Sequence, residues 1–261
     1  FEKFASLNGP NFYNLPPNKE KLKLVSRPNK IKEFIDVIEE KNIVSFLVEP
    51  IQGEAGVKVP DDNYIEGVRE LCTKHNILMI ADEIQTGLGR TGSLLACGDV
   101  RPDILILAKA LSGGTYPISA VLCDKEIMEV IQPGQHGSTY GGNPFAASIA
   151  KKSLEIIIEE KLPENANKLG EIFRSKINKY IETSNIVKLV RGKGLLNAIV
   201  INTKPDSQTA WNICLKLKDN GLLAKPTQGN IIRFAPPLII TNEEVDKAIN
   251  IIDKSLKELD D

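Results

Sequence analysis

From Lys30 onward the hydrophobic positions of the chain follow two alternating rhythms. Lys30 to Lys41 and Asp62 to His75 have the apolar spacing of amphipathic helices, whereas Ile43 to Val48, Ile77 to Ala81 and Ile104 to Leu107 are short apolar runs of strand length. Helix and strand in this order predict βαβ units with right-handed crossovers. Strands so uniformly apolar predict a mainly parallel sheet with helices on both faces.

A further strand is expected within "PISAVLC", Pro117 to Cys123, and the turn-rich "PGQHGSTYGGNP" follows it. Pro144 to Lys161 then reads as a helix beginning just after Asn143, with Ala147, Ala150, Leu154, Ile157 and Ile158 on helical spacing. Another helix is expected between Pro163 and Thr183 and one near Ser207 to Asn220, interleaved with "GLLNAIVIN", "GLLAKP" and "NIIRFAPPLII". A closing helix has Thr241 as N-cap and Glu244 as its capping-box partner. The pattern predicts an α/β protein: residues 1–162 belong to a large sheet domain and residues 163–261 form a smaller C-terminal α+β domain. Trp211, at helical spacing with Cys214 and Leu215, is expected in the core.

Composition narrows the partners. A formal net charge of −1 gives no reason to expect nucleic acid, and no apolar run approaches the length of a membrane span. Cys72, Cys97, Cys123 and Cys214 are widely spaced, and with only His75 and His136 beside them they support neither a metal site nor a disulfide framework. A reducing compartment is expected, with the cytoplasm as the default. The opening thirty residues, rich in Pro and Asn, show no initiating Met, signal peptide or presequence and read as a surface loop from within a longer protein.

Three successive strands run into unusual polar residues, the first into "EPIQGEAG" (Glu49 to Gly56), the second into "DEIQTGLGRTG" (from Asp82) and the third into Lys109. Ligands of open parallel sheets bind beyond the carboxyl ends of the strands. Singly, each feature has a plain alternative: a satisfied strand-end pair or magnesium ligands for Asp82 and Glu83, a surface charge for Lys109. Together they suggest more. Lys109 sits among Ala108, Ala110 and Leu111 and precedes Gly113 and Gly114; partial burial there would lower the ammonium pKa and make the amine nucleophilic toward an aldehyde. An acid on the neighbouring strand could keep a pyridine nitrogen protonated, the pairing of a pyridoxal phosphate site. A magnesium-dependent phosphoryl transferase would need a GxxxxGK[ST] loop, which the sequence lacks.

The runs "EPIQGEAG", "ADEIQTGLGRTG", "PDILILAKALSGG", "HGSTYGGNP" and "RGKGLL" resemble, in order, the class III pyridoxal phosphate-dependent aminotransferases of the type I fold. "GEAG", "KALSGGTYPISAV" and "RFAPPLII" resemble the branch acting on ornithine more than those acting on acetylornithine or 4-aminobutyrate. The resemblance implies that Lys109 carries pyridoxal 5'-phosphate as a Schiff base and moves the substrate proton, that Asp82 pairs with the ring nitrogen, that Gln85 bonds the phenolic oxygen and that Ile84 packs on the ring. Ser138 and Thr139 would reach the cofactor phosphate of the other subunit, making a homodimer with shared sites. Glu54 and Arg233 would form an ion pair that masks the arginine while the δ-amino group of L-ornithine reacts and frees it for 2-oxoglutarate. The family's phosphate loop, ring-stacking aromatic, substrate arginine and N-terminal tyrosine would precede Phe1, so a non-catalytic aminotransferase-like protein stays open as an alternative. Glu83, Arg90, His136 and Lys193 read as structural.

Overall fold

A computed structural model describes residues 43–260, and the helix expected over Lys30 to Lys41 lies outside them. Lys41 to Asp261 form one compact unit. Two sheets organise it. The first comprises β1 (Ser45–Val48), β2 (Leu78–Asp82), β3 (Ile104–Leu107) and β4 (Ala120–Cys123), in that spatial order. β1, β2 and β3 run parallel, and α1 (Tyr64–Lys74) makes the crossover between the first two, burying Ile65, Val68 and Cys72. β4 returns antiparallel to β3: the connection, residues 108–119, contains only the short 3-10 turn Lys109–Ser112 and no crossover helix of the kind a parallel return uses. The mainly parallel α/β sheet is therefore as expected from the sequence.

After the short α2 (Lys125–Met128), α3 (Pro144–Glu159) starts at its predicted cap, where the Asn143 side chain accepts a hydrogen bond from the Ala146 amide. Lys161, at φ +52, turns the chain directly into α4 (Leu162–Ile181). The second sheet is wholly antiparallel, in the order β5 (Val187–Lys193), β6 (Leu196–Ile201), β8 (Ile231–Phe234), β7 (Lys225–Pro226). α5 (Thr209–Asp219) precedes β7, and α6 (Asn242–Asp260) closes the chain, its start sealed by the reciprocal Thr241 and Glu244 hydrogen bonds.

Every residue of β6 is buried because both its faces are covered. Ile199 and Ile201 join the core made with α4, α5 and α6. Leu196, Ala198 and Val200 instead meet Ile51 and Val57, which lie on the loop leaving β1. That second contact places the Glu49–Val57 segment over the antiparallel sheet. One expectation fails here: Trp211 is 53% exposed, because the buried stripe of α5 runs through Ala210, Ile213, Cys214 and Leu217 and leaves Trp211 and Leu215 outside it.

Candidate active site

β2 delivers Asp82 and Glu83 as the sequence suggests, and the structure separates their roles. Glu83 is fully buried, with one carboxylate oxygen accepting from the Thr86 hydroxyl at 2.5 Å and the other from the Cys97 amide at 2.8 Å. Its donors offset the cost of burying a carboxylate; burial, and then the charge of Glu83, push the Cys97 thiol up. Asp82 is half-buried at the strand end, opposite Ile106 of β3, and one of its oxygens accepts from the Ile84 amide at 3.0 Å. The glycine loop that follows does structural work. Gly92, at φ +92, lies where a Cβ would come within 3.0 Å of Asn167 on α4. Arg90 donates to the carbonyls of Leu195 at 3.1 Å and Pro236 at 2.5 Å, tying this loop to the end of the second sheet where β6 begins and β8 stops. Burial, and then the charge of Arg233, bring its pKa down to about 10, so it stays cationic at neutral pH.

Lys109 follows β3 with φ +47, a left-handed conformation that costs a residue with a Cβ about 1 kcal/mol or more. Two features hold it there. The turn is closed by Gly113 at φ +59, and the Ser153 hydroxyl, buried on α3, donates to the Ala110 carbonyl at 3.0 Å. The expectation of partial burial does not hold: Lys109 is exposed, although Leu111 and Ser112 of the same turn are buried. A cleft of about 830 Å³ opens beside it, lined among others by Ile84, Gln85, Lys109, Gly114 and Arg233. Asp82 is not part of its lining.

On the far side of the cleft Glu54 forms an ion pair with Arg233. The same glutamate oxygen accepts from Gln85 Nε2 at 3.2 Å, and Gln85 Oε1 accepts from Arg233 at 3.2 Å, closing a three-membered ring of side chains. Lys225 Nζ binds the other Glu54 oxygen at 2.9 Å. The Arg233 hydrogen bond, and after it that of Lys225, hold the Glu54 carboxyl down at about 2. Gly53 permits this closeness, because any Cβ there would fall 1.9 Å from Gln85 Oε1. Ser138 and Thr139 are elsewhere, in an exposed turn outside the cleft, with the Ser138 hydroxyl accepting from the Gly141 amide at 2.8 Å. Sequence reasoning missed Lys225, although "GLLAKP" contained it; its only signal is the strand register that places it opposite Arg233. Among the described residues no cluster of three or more His, Cys, Asp or Glu could hold a metal ion, and no helix is long and apolar enough to cross a membrane.

The strand ends of this parallel sheet thus present a carboxylate, an amide and an amine-bearing turn, with an arginine paired to a glutamate nearby, at the place where open α/β sheets bind their ligands. The family model for Aminotransferase class-III matches residues 2–256, and the chain belongs to that family. The mitochondrial ornithine aminotransferase of Drosophila melanogaster is 54% identical over 255 residues, 97% of this chain and 58% of that protein. The enzyme of the same name from Rattus norvegicus is 59% identical over 230 residues, 87% of this chain and 52% of that one. Among solved structures, an acetylornithine aminotransferase from Elizabethkingia anophelis has a TM-score of 0.84 at 59% identity, covering 88% of this chain and 58% of that one. An ornithine aminotransferase from Toxoplasma gondii, described with partial occupancy of PLP at its active site, has a TM-score of 0.87 at 42% identity, covering 95% of this chain and 58% of that one. The chain thus has the type I fold of pyridoxal phosphate-dependent transferases, and it spans about half the length of the curated relatives it matches.

Proposed function

We propose that the protein containing this chain is a pyridoxal phosphate-dependent aminotransferase that moves the δ-amino group of L-ornithine to 2-oxoglutarate, giving glutamate 5-semialdehyde and L-glutamate. The observation that carries the reading is the single cleft shared by Lys109, Gln85 and Arg233, with Glu54 clamped onto the arginine. The identity to ornithine aminotransferases supports the choice of donor.

The residues present fit the cofactor chemically. Lys109 offers a primary amine for its aldehyde, Asp82 keeps one carboxylate oxygen free of the Ile84 amide for a ring nitrogen, and Ile84 offers an apolar side chain at the cleft wall. When bound, pyridoxal phosphate supplies an electron sink for the carbon that loses its proton. Lys109 Nζ, freed on an exposed turn, is the group that takes and returns that proton. Asp82 would hold the ring-nitrogen proton. Gln85, hydrogen-bonded to Glu54 and Arg233 through its amide, holds that pair in place beside the cleft and would contact the cofactor from there.

Arg233 binds a carboxylate bidentately when Glu54 releases it, and is neutralised by Glu54 when the substrate end at that position is an amine. The outward placement of Ser138 and Thr139, next to exposed Tyr140 and Phe145, supports a homodimer in which this turn completes the partner's site. The four free cysteines suit a reducing compartment.

The acetylornithine aminotransferase among the structural relatives favours a second reading, N-acetylornithine as donor. Assays of the full-length protein with L-ornithine, N-acetylornithine and 4-aminobutyrate separate the two. Lys109→Ala in the full-length protein should abolish both the visible cofactor absorption and turnover. Survival of both would overturn the assignment, and a wild-type protein that does not titrate with pyridoxal phosphate would point to a non-catalytic relative.

A further inference from the structure

Three basic side chains stand in one row across the second sheet. Arg191 of β5 is opposite Ala198 of β6, Ala198 is opposite Arg233 of β8, and Arg233 is opposite Lys225 of β7. Directly opposed residues of an antiparallel pair share a face, and like charges placed so destabilise it. The Glu49–Val57 loop covers that face and offsets the repulsion. Gly56 O accepts from Arg191 Nε at 2.9 Å, while the Glu54 carboxylate takes Arg233 on one oxygen and Lys225 on the other. The three charged partners differ in freedom. The Arg233 side chain is 15% exposed and faces the cleft, whereas Lys225 and Glu54 are 57% and 59% exposed at the rim.

A ligand carboxylate that draws Arg233 away would leave Glu54 with its charge unmatched, unless a second cation stays on it. Lys225 is that cation, and it is bound to the oxygen that Arg233 does not use. We propose that Lys225 is a positioning residue that holds Glu54 while Arg233 turns to the ligand, so that the arginine is released at low cost to dicarboxylate oxo-acid acceptors. The inference rests on the aminotransferase reading of the cleft and assigns a device by which it accepts its second substrate. Lys225 itself touches no reacting atom.

The test uses the full-length holoenzyme in four forms: wild type, Lys225→Met, Glu54→Gln and the double variant. Steady-state kinetics are measured against 2-oxoglutarate at saturating L-ornithine. Lys225→Met is expected to raise the KM for 2-oxoglutarate by about fivefold, the upper end of what an exposed ion pair supports, with kcat within about twofold. Lys225→Arg should restore the KM. In the Glu54→Gln background the effect of Lys225→Met should vanish, because the lysine acts only through the carboxylate. An unchanged KM in Lys225→Met overturns the proposal, and so does an increase of equal size in the Glu54→Gln background, which would mark direct attraction of the dianion. Absence of turnover in the wild type would overturn the aminotransferase reading first, and this inference with it.

Discussion

Replacing Gly170 by alanine sets two effects of similar size against each other. Gly170 lies inside α4, where alanine is favoured over glycine by about 1 kcal/mol. A Cβ at this position, however, would lie 1.8 Å from the carbonyl oxygen of Gly194 and 2.4 Å from its carbon, inside the 3.0 Å that real Cβ atoms keep. The obstacle is backbone, and it cannot retreat. Behind it, a Cβ on Gly194 would itself meet the Thr91 carbonyl carbon at 2.4 Å, and the Leu195 amide is bound to the Arg90 carbonyl at 3.0 Å. The Gly194 carbonyl also accepts from Arg174 and from Asn197, each at 3.1 Å. Overpacking of this kind costs about 1–3 kcal/mol, and losing one of these hydrogen bonds adds about 1 kcal/mol. Set against the helical gain, Gly170→Ala should destabilise by about 1–3 kcal/mol. Urea unfolding of the full-length protein followed by circular dichroism should show a lower midpoint at an unchanged slope. A midpoint equal to or above that of the wild type would refute the argument, since helix propensity would then outweigh a contact that the structure makes too tight to relax.

The Glu54 carboxyl, held at about 2 by Arg233 and then Lys225, gives a second test. A depressed carboxyl stabilises the fold fully above its ordinary value of 4.5, and that contribution is lost as the pH falls through about 2. Carboxyl carbon NMR of glutamate-labelled protein, with Glu54→Gln to assign the resonance, should give a midpoint near that value; one at or above 4.5 would disprove the ion pair. Arg90→Met should leave the Pro236 carbonyl without the guanidinium at 2.5 Å and cost about 1–3 kcal/mol. Calorimetry of the variant would detect this as a lowered unfolding temperature, and an unchanged one would remove Arg90 from its bridging role.

The identities of the elements were legible because they are local. Apolar spacing placed α3 at its Asn143 cap and α6 at its Thr241 and Glu244 box. The same periodicity misassigned Trp211, since three residues on one side of a helix share a spacing whether the neighbouring sheet reaches them or not. The chemistry of Lys109 and the acids at the end of β2 was visible as residue types at strand ends, but not its surroundings: the left-handed turn braced by Ser153 and the open exposure of the lysine depend on α3 packing from more than forty positions away.

Sequence alone determined the order of strands and helices, the caps and the set of polar residues at the strand ends, because each is a property of a short window of chain. Only the folded chain decided which donors satisfy the buried Glu83, and that Lys225 stands opposite Arg233 with Glu54 between them. Glu54 lies 171 positions from Lys225 and 179 from Arg233. Contacts of that span are set by strand register and by a loop seated on a sheet face, and register belongs to pairs of strands rather than to either one.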